Sequence, residues 1–202
     1  MIMGYKMKLI IVTLLVFLVI GITVLNSGAY NMAATDKHWA ITEDIIEWVR
    51  DSSIKAHAEK VVVPSLDDPA LIPRGAEHYL DMCAGCHSQP GQEPTELALG
   101  LYPQAPVFHL REQITNQEAI PERAKAYFWV IKNGLKMTGM PAWGLSHQDD
   151  DIWAMTAFVL AMHGMTAEQY QLLVNSNTDQ HNENNGHHHG NGDHHGNGDH
   201  HH

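Results

Sequence analysis

Cys83, Cys86 and His87 stand together in the pentapeptide Cys83-Ala84-Gly85-Cys86-His87. Residues of these types at this spacing can hold an iron porphyrin covalently. Two thiols separated by two residues can each form a thioether to a vinyl group of one porphyrin, and the next residue places an imidazole under the iron. These are the only cysteines of the chain, so committing both to haem leaves no structural disulfide. Two other chemistries use such a pair. Structural zinc needs two further ligands at finger-like spacing, and none stands near Cys83. A thioredoxin-like redox pair needs a βαβ context, whereas this stretch reads as helix. The motif therefore points to one covalent haem c.

A second ligand to the iron has a candidate downstream. The segment Lys136-Met137-Thr138-Gly139-Met140-Pro141-Ala142-Trp143-Gly144 follows an expected helix and is rich in breakers. A loop of this kind can carry a thioether over the open face of a haem. With these residues in view, the chain resembles a class I c-type cytochrome. The resemblance implies a distal Met in a Met-Pro loop between the haem motif and the last helix, and Met140 matches that place. Met137 is the close competitor, and filling the core is the ordinary role of either. His78, His109, His147 and His163 are alternatives that would give bis-His ligation. Of these, His78 reads as a surface residue on the helix leading into the motif.

The resemblance also implies a Gly and an aromatic residue ahead of the first haem Cys, where two helices cross at close range. Gly75 and Tyr79 match, and Gly75, Tyr79 and Cys83 fall four residues apart on one expected helical face. It further implies a backbone carbonyl that accepts a hydrogen bond from the proximal imidazole. The proline- and glycine-rich stretch of residues 89–106 is expected to be loop and to supply it, through a residue left open.

The elements that position these groups read as helices. Pro121 opens one through Ala124, Phe128 and Ile131, which ends near Asn133-Gly134. Phe128 and Trp129 either wall the haem or fill the core. Met155, Phe158, Val159 and Met162 recur at helical spacing in a last helix that is apolar nearly all round and so should be buried on several sides. Ser146 with Asp149 predicts an acidic capping box at its start, and Asp149, Asp150 and Asp151 suit the positive end of its dipole. The expected fold class is all-α, a cytochrome c-like helical domain around a covalent haem, preceded by one transmembrane helix.

Four segments are expected. Residues 1–34 hold a cytoplasmic end and an anchor, residues 35–68 a juxtamembrane helix and linker, residues 69–165 the cytochrome c domain, and residues 166–202 a disordered tail. Residues 9–25 carry no charge and are dominated by Leu, Ile and Val. That is the short end of the spanning range of about 17 to 25 residues. Lys6 and Lys8 precede the run, so the positive-inside rule leaves the N-terminus in the cytoplasm. The rival is a cleaved secretory signal ending near Ser27-Gly28-Ala29. The run exceeds an ordinary signal core, which favours the retained anchor. Both readings export the haem domain, and the resemblance implies haem attachment outside the bacterial cytoplasmic membrane. The expected location is therefore that inner membrane, crossed once, with the haem domain on the periplasmic or outer side. The helix of residues 35–60 has an apolar side, with Ile45, Ile46, Trp48, Val49 and Ile54. It suits the bilayer surface, a partner, or the haem domain itself.

From His181 to His202 the chain is His, Gly, Asn and Asp but for a single Glu, with Gly-Asn-Gly-Asp-His-His repeated. It offers nothing to bury. His187, His188, His189, His194, His195, His200, His201 and His202 form a candidate site for copper, nickel or zinc, unless the tract is a purification tag, which the interruptions argue against. The net charge of −11 and the lack of a basic patch speak against nucleic acid.

Together these features read as a membrane-anchored periplasmic cytochrome that carries single electrons and is not an enzyme. Its iron would cycle between Fe(III) and Fe(II) on His87 and Met140. Its partners would be a protein donor and a protein acceptor, both membrane-associated respiratory components. The alternatives are a periplasmic metal-binding or metal-homeostasis protein that works through the tail, and a haem-based enzyme or sensor with a displaceable Met.

Overall fold

The computed structural model describes residues 2–174, and all regular structure among them is helical. Helix α1 spans Ile2–Asn26, α2 Ala40–Ala58, α3 Leu71–His78, α4 Ala84–His87, α5 Glu96–Gly100, α6 Ile120–Asn133 and α7 Asp149–Ala161. Residues 167–174 form an eighth helix, α8. A π turn, Tyr79–Cys83, joins α3 to α4. Single 3-10 turns stand at Phe108–Leu110, Gln117–Ala119 and Trp143–Leu145.

The body is built on the crossing of α3 and α7. A Cβ on Gly75 would lie 2.1 Å from the Ala154 carbonyl oxygen and 2.7 Å from the Phe158 Cβ. Only a glycine permits that approach. Tyr79 fills the adjacent space against Phe158, with ring centroids 5.4 Å apart. Its hydroxyl donates to the Ser88 carbonyl at 2.6 Å, so the buried oxygen is satisfied. Helix α7 is buried on every side from Ile152 to Val159, as its unbroken apolar composition requires. It divides the core into two clusters. One gathers Tyr79, Phe108, Phe158 and Met162; the other gathers Phe128, Ile131, Ile152, Trp153 and Met155. Phe128 stacks on Trp153 at 4.1 Å, so it serves the core, and Trp129 faces α2 instead.

Three features differ from the sequence expectation. Helix α7 starts with Gln148 as its N-cap, whose backbone N–H donates to Asp151 Oδ2 at 3.2 Å. Ser146 is not the cap, because residues 143–147 are still engaged in a turn in which Ser146 N–H and His147 N–H both donate to the Trp143 carbonyl. The body also runs past the expected boundary at 165. Tyr170 on α8 is only 1% exposed and belongs to the first core cluster, with Leu173 and Val174 packed beside it. The segment expected to be a linker is not free either. Val61, Val63 and Leu66 pack on the second cluster.

Helix α2 docks on α6. His57 stacks on Trp129 at 5.3 Å, and Ala58 is buried. Ile45, Trp48 and Val49 face outward, Trp48 being 70% exposed. The chain between α1 and α2 is also held. Tyr30 Oη hydrogen-bonds His38 Nδ1 at 2.6 Å, the His38 amide donates to Tyr102 Oη at 2.9 Å, and Trp39 meets the Tyr30 ring edge-on at 4.9 Å. Helix α1 buries none of its surface in the rest of the protein and is long and apolar enough to cross a membrane, a property that a secretory signal shares.

Candidate functional site

The π turn places the first cysteine. The Ala84 amide donates to the Tyr79 carbonyl, five residues back, so the backbone gains one residue over a regular turn. Gly75 and Tyr79 therefore keep the face toward α7, and Cys83 follows from a wider turn. It packs beside the first core cluster. Cys86 and His87 lie in the single turn of α4. Helix α5 is braced against this turn, with Thr95 Oγ1 donating to the Gly85 carbonyl. It leaves Leu97 and Leu99 exposed beside the motif.

Both cysteines are free. Burial, and then the neighbouring Cys86, push the Cys83 thiol up to about 12, so at neutral pH it is protonated. A structural zinc ion would need further ligands beside the two sulfurs, and no group of three or more metal-ligating side chains occurs among the described residues. Nor do those residues contain the strands that a thioredoxin-like pair needs.

His87 is buried, and its Nδ1 lies 2.8 Å from the Pro106 carbonyl oxygen. A carbonyl only accepts, so Nδ1 carries the proton and Nε2 presents its lone pair. Burial lowers the His87 pKa, the Pro106 bond opposes this, and Arg111 adds to the lowering. The ring is thus neutral at pH 7. A neutral imidazole with a fixed tautomer and an unshared Nε2 is what an axial iron ligand requires. The Phe108 ring stacks on it, 4.7 Å away at 20°. The carbonyl that the sequence left open is that of Pro106. Two free thiols, an oriented imidazole and an apolar rim suit a covalent haem.

The Met loop is closed by hydrogen bonds. The Leu135 amide donates to the Met140 carbonyl at 3.2 Å. Thr138 Oγ1 donates to the Leu135 carbonyl at 2.8 Å and accepts from the Met140 amide at 3.1 Å. Gly134, at φ 66°, ends α6, and a Cβ there would meet the Met140 carbonyl oxygen at 2.8 Å. Both the backbone angle and the closeness of the returning strand call for glycine. Within the loop the two methionines are unlike. Met140 is half-buried and packs with Trp143 on the second core cluster, whereas Met137 is 76% exposed.

Among the other candidate histidines, all but His109 have their own engagements. His78 pairs with Asp151 at 3.6 Å and meets His147 edge-on. His147 also contacts Ser146 and Trp143. His163 accepts from Tyr127 at 2.8 Å and reaches the Glu112 carbonyl at 3.3 Å. His109 belongs to the same 3-10 turn as Phe108, on the segment that holds His87. Lys132 is tied to Asp149 at 2.6 Å. The tail histidines, His187 to His189, His194, His195 and His200 to His202, lie outside the described residues.

Phe108, Arg111 and Tyr127 are surroundings that sequence reasoning missed. Their spacing carries no period, because they come together only through the fold.

No curated protein matches the chain. The family model for the cytochrome c oxidase, cbb3-type, subunit III matches residues 70–159. That stretch begins just before α3 and ends within α7. It contains the haem motif, the Pro106 segment that holds His87, and the Met loop. From this match, and from the all-helical body that carries it, residues 70–159 form a c-type cytochrome domain, a haem-binding unit of the electron-transfer class.

Proposed function

We propose that the protein is a membrane-anchored, one-haem electron carrier. Cys83 and Cys86 hold the haem c by thioether bonds, His87 is the proximal ligand and Met140 the distal one. The observation that carries this reading is the bond from His87 Nδ1 to the Pro106 carbonyl. It fixes the tautomer that a ligating imidazole needs, in a body that also turns Met140 inward and Met137 outward.

The haem supplies the one-electron Fe(III)/Fe(II) couple. The chain orients His87, shields it with Phe108, and delivers the Met140 thioether from a hydrogen-bonded loop. A neutral thioether favours the ferrous iron and raises the potential. With both axial positions taken by protein, there is no open position for a substrate. Electron carriage is therefore favoured over catalysis.

Helix α1 fits a retained anchor, with Lys6 and Lys8 on the cytoplasmic side and the haem domain on the periplasmic or outer side of a bacterial inner membrane. On that reading, donor and acceptor are redox proteins of the membrane-associated respiratory chain. The His-rich tail would add a separate site for copper, nickel or zinc.

The test is the oxidised full-length protein from membranes. A haem band should survive a denaturing gel, and the near-infrared spectrum should show the charge-transfer band of a Met–iron bond. A haem lost on denaturation would overturn the attachment. A missing band would overturn Met140.

A further inference from the structure

A polar relay runs from the proximal side of the site to the end of α7. Arg111 Nη1 donates to Tyr127 Oη at 2.7 Å. The same oxygen lies 2.8 Å from His163 Nε2. His163 Nδ1 faces the Glu112 carbonyl oxygen at 3.3 Å, so that nitrogen carries the proton. One assignment satisfies all three contacts. Arg111 donates to Tyr127, Tyr127 donates to His163 Nε2, and His163 donates to the Glu112 carbonyl. Neutral His163 is what this arrangement requires.

The relay fixes a guanidinium that would otherwise be mobile. Arg111 is exposed at the surface, where an unheld arginine samples many rotamers. Here its Cζ stands 5.5 Å from the Phe108 centroid and 5.9 Å from that of Tyr127. This is cation–π range for both rings. Phe108 in turn stacks on His87 at 4.7 Å. The sequence of contacts is therefore His163, Tyr127, Arg111, Phe108, His87.

We infer that Arg111 is a positioning residue for the haem potential. The clamp of Tyr127 and His163 holds one permanent positive charge against the ring that covers the proximal imidazole. This charge disfavours the extra positive charge of ferric iron, and so shifts the couple toward the ferrous state. The clamp also presses Phe108 onto His87 and limits its rotation. This inference rests on His87 as proximal ligand. Arg111 touches neither the haem motif nor the Met loop through any hydrogen bond, so its removal leaves the ligand set in place.

The experiment is spectroelectrochemical titration of the full-length holoprotein in detergent, with Arg111→Gln, Arg111→Lys and Tyr127→Phe. Arg111→Gln should move the ferric/ferrous equilibrium about threefold toward ferric, a fall of about 28 mV at 59 mV per tenfold for one electron. Arg111→Lys, which keeps the charge, should recover at least half of that shift. Tyr127→Phe keeps every charge but frees the guanidinium, and should shift the equilibrium in the same direction by less. The near-infrared Met band should persist in all three. An unchanged midpoint in Arg111→Gln overturns the inference, as does an equal fall in Arg111→Gln and Arg111→Lys. If Arg111→Gln loses the Met band, the Arg111→Lys and Tyr127→Phe midpoints decide, and no shift in Tyr127→Phe then overturns it. A wild-type protein that shows no histidine ligation overturns the axial assignment itself, and the inference falls with it.

Discussion

Gly75 lies directly on the Ala154 backbone where α3 crosses α7, so that a Gly75 Cβ would stand 2.1 Å from the Ala154 carbonyl oxygen. The obstacle is backbone and cannot rotate away. Gly75→Ala should force the helices apart and cost about 3 kcal/mol of stability, at the upper end of ordinary overpacking. Chemical denaturation of the holoprotein checks this. A loss under about 1 kcal/mol would mean that the two helices slide freely at this point.

Met140→Ala should keep the haem on the chain but lose the near-infrared Met band and lower the midpoint potential, since the thioether is the group that favours ferrous iron. Met137→Ala should change neither, because Met137 is 76% exposed. The reverse pattern would transfer the ligand role to Met137.

His163 makes stability depend on pH in one direction. Burial is the largest cause that lowers its pKa below the usual imidazole value, with Arg111 and Arg123 adding to it and the Glu112 bond opposing. The unfolded chain therefore binds this proton more readily than the folded one. Stability is whole above an unfolded pKa of about 6.5 and declines as the pH falls below it. His109, lowered by burial, acts in the same sense. Melting temperatures between pH 5 and 8 should fall on the acid side, and His163→Gln should flatten that fall. An unaltered acid slope in the variant would show that His163 is not the group responsible.

Removing residues 181–202 should abolish most copper, nickel or zinc binding and leave the haem spectrum and midpoint as they were. Calorimetry and spectroelectrochemistry on the same sample check both halves. Binding by the tail should weaken as imidazoles protonate, near pH 6.5. Metal binding that persists without the tail would place the site elsewhere.

Much of the site could be read in the sequence because its parts are local. The haem motif, the breaker-rich loop that ends at Met140-Pro141, and the glycine four residues before Tyr79 each fall within a few residues, and helical spacing orders them. The π turn could not be foreseen, since Tyr79–Cys83 has an ordinary helical composition and the added residue shows only in the Ala84 to Tyr79 bond. Pro106 could be narrowed to a loop but not chosen from it, because the choice depends on where the chain, nineteen positions on and past α5, returns to His87. The same holds for α8 and α2. Tyr170 and His57 look like surface residues in sequence, and become contact residues only once α7 and α6 stand opposite them. The cap moved from Ser146 to Gln148 for a local reason, since a turn already held the Ser146 and His147 amides.

The contacts among Tyr30, His38 and Tyr102 change what the connector between α1 and α2 can do. Drawn straight, residues 27–39 would reach about 45 Å, a leash on which an anchored domain could swing toward one redox partner and then another. Folded back and bonded to the chain just beyond α5, the same residues have no slack to spend. With α1 in a bilayer, the haem domain would keep one height and one heading over the lipid, and a partner would have to bring its own redox centre to that fixed edge. A shuttle that carries electrons by its own travel needs a loose tether. A post that receives and passes them in place needs a stiff one, and on the proposed reading the bonds among Tyr30, His38 and Tyr102 suit the second.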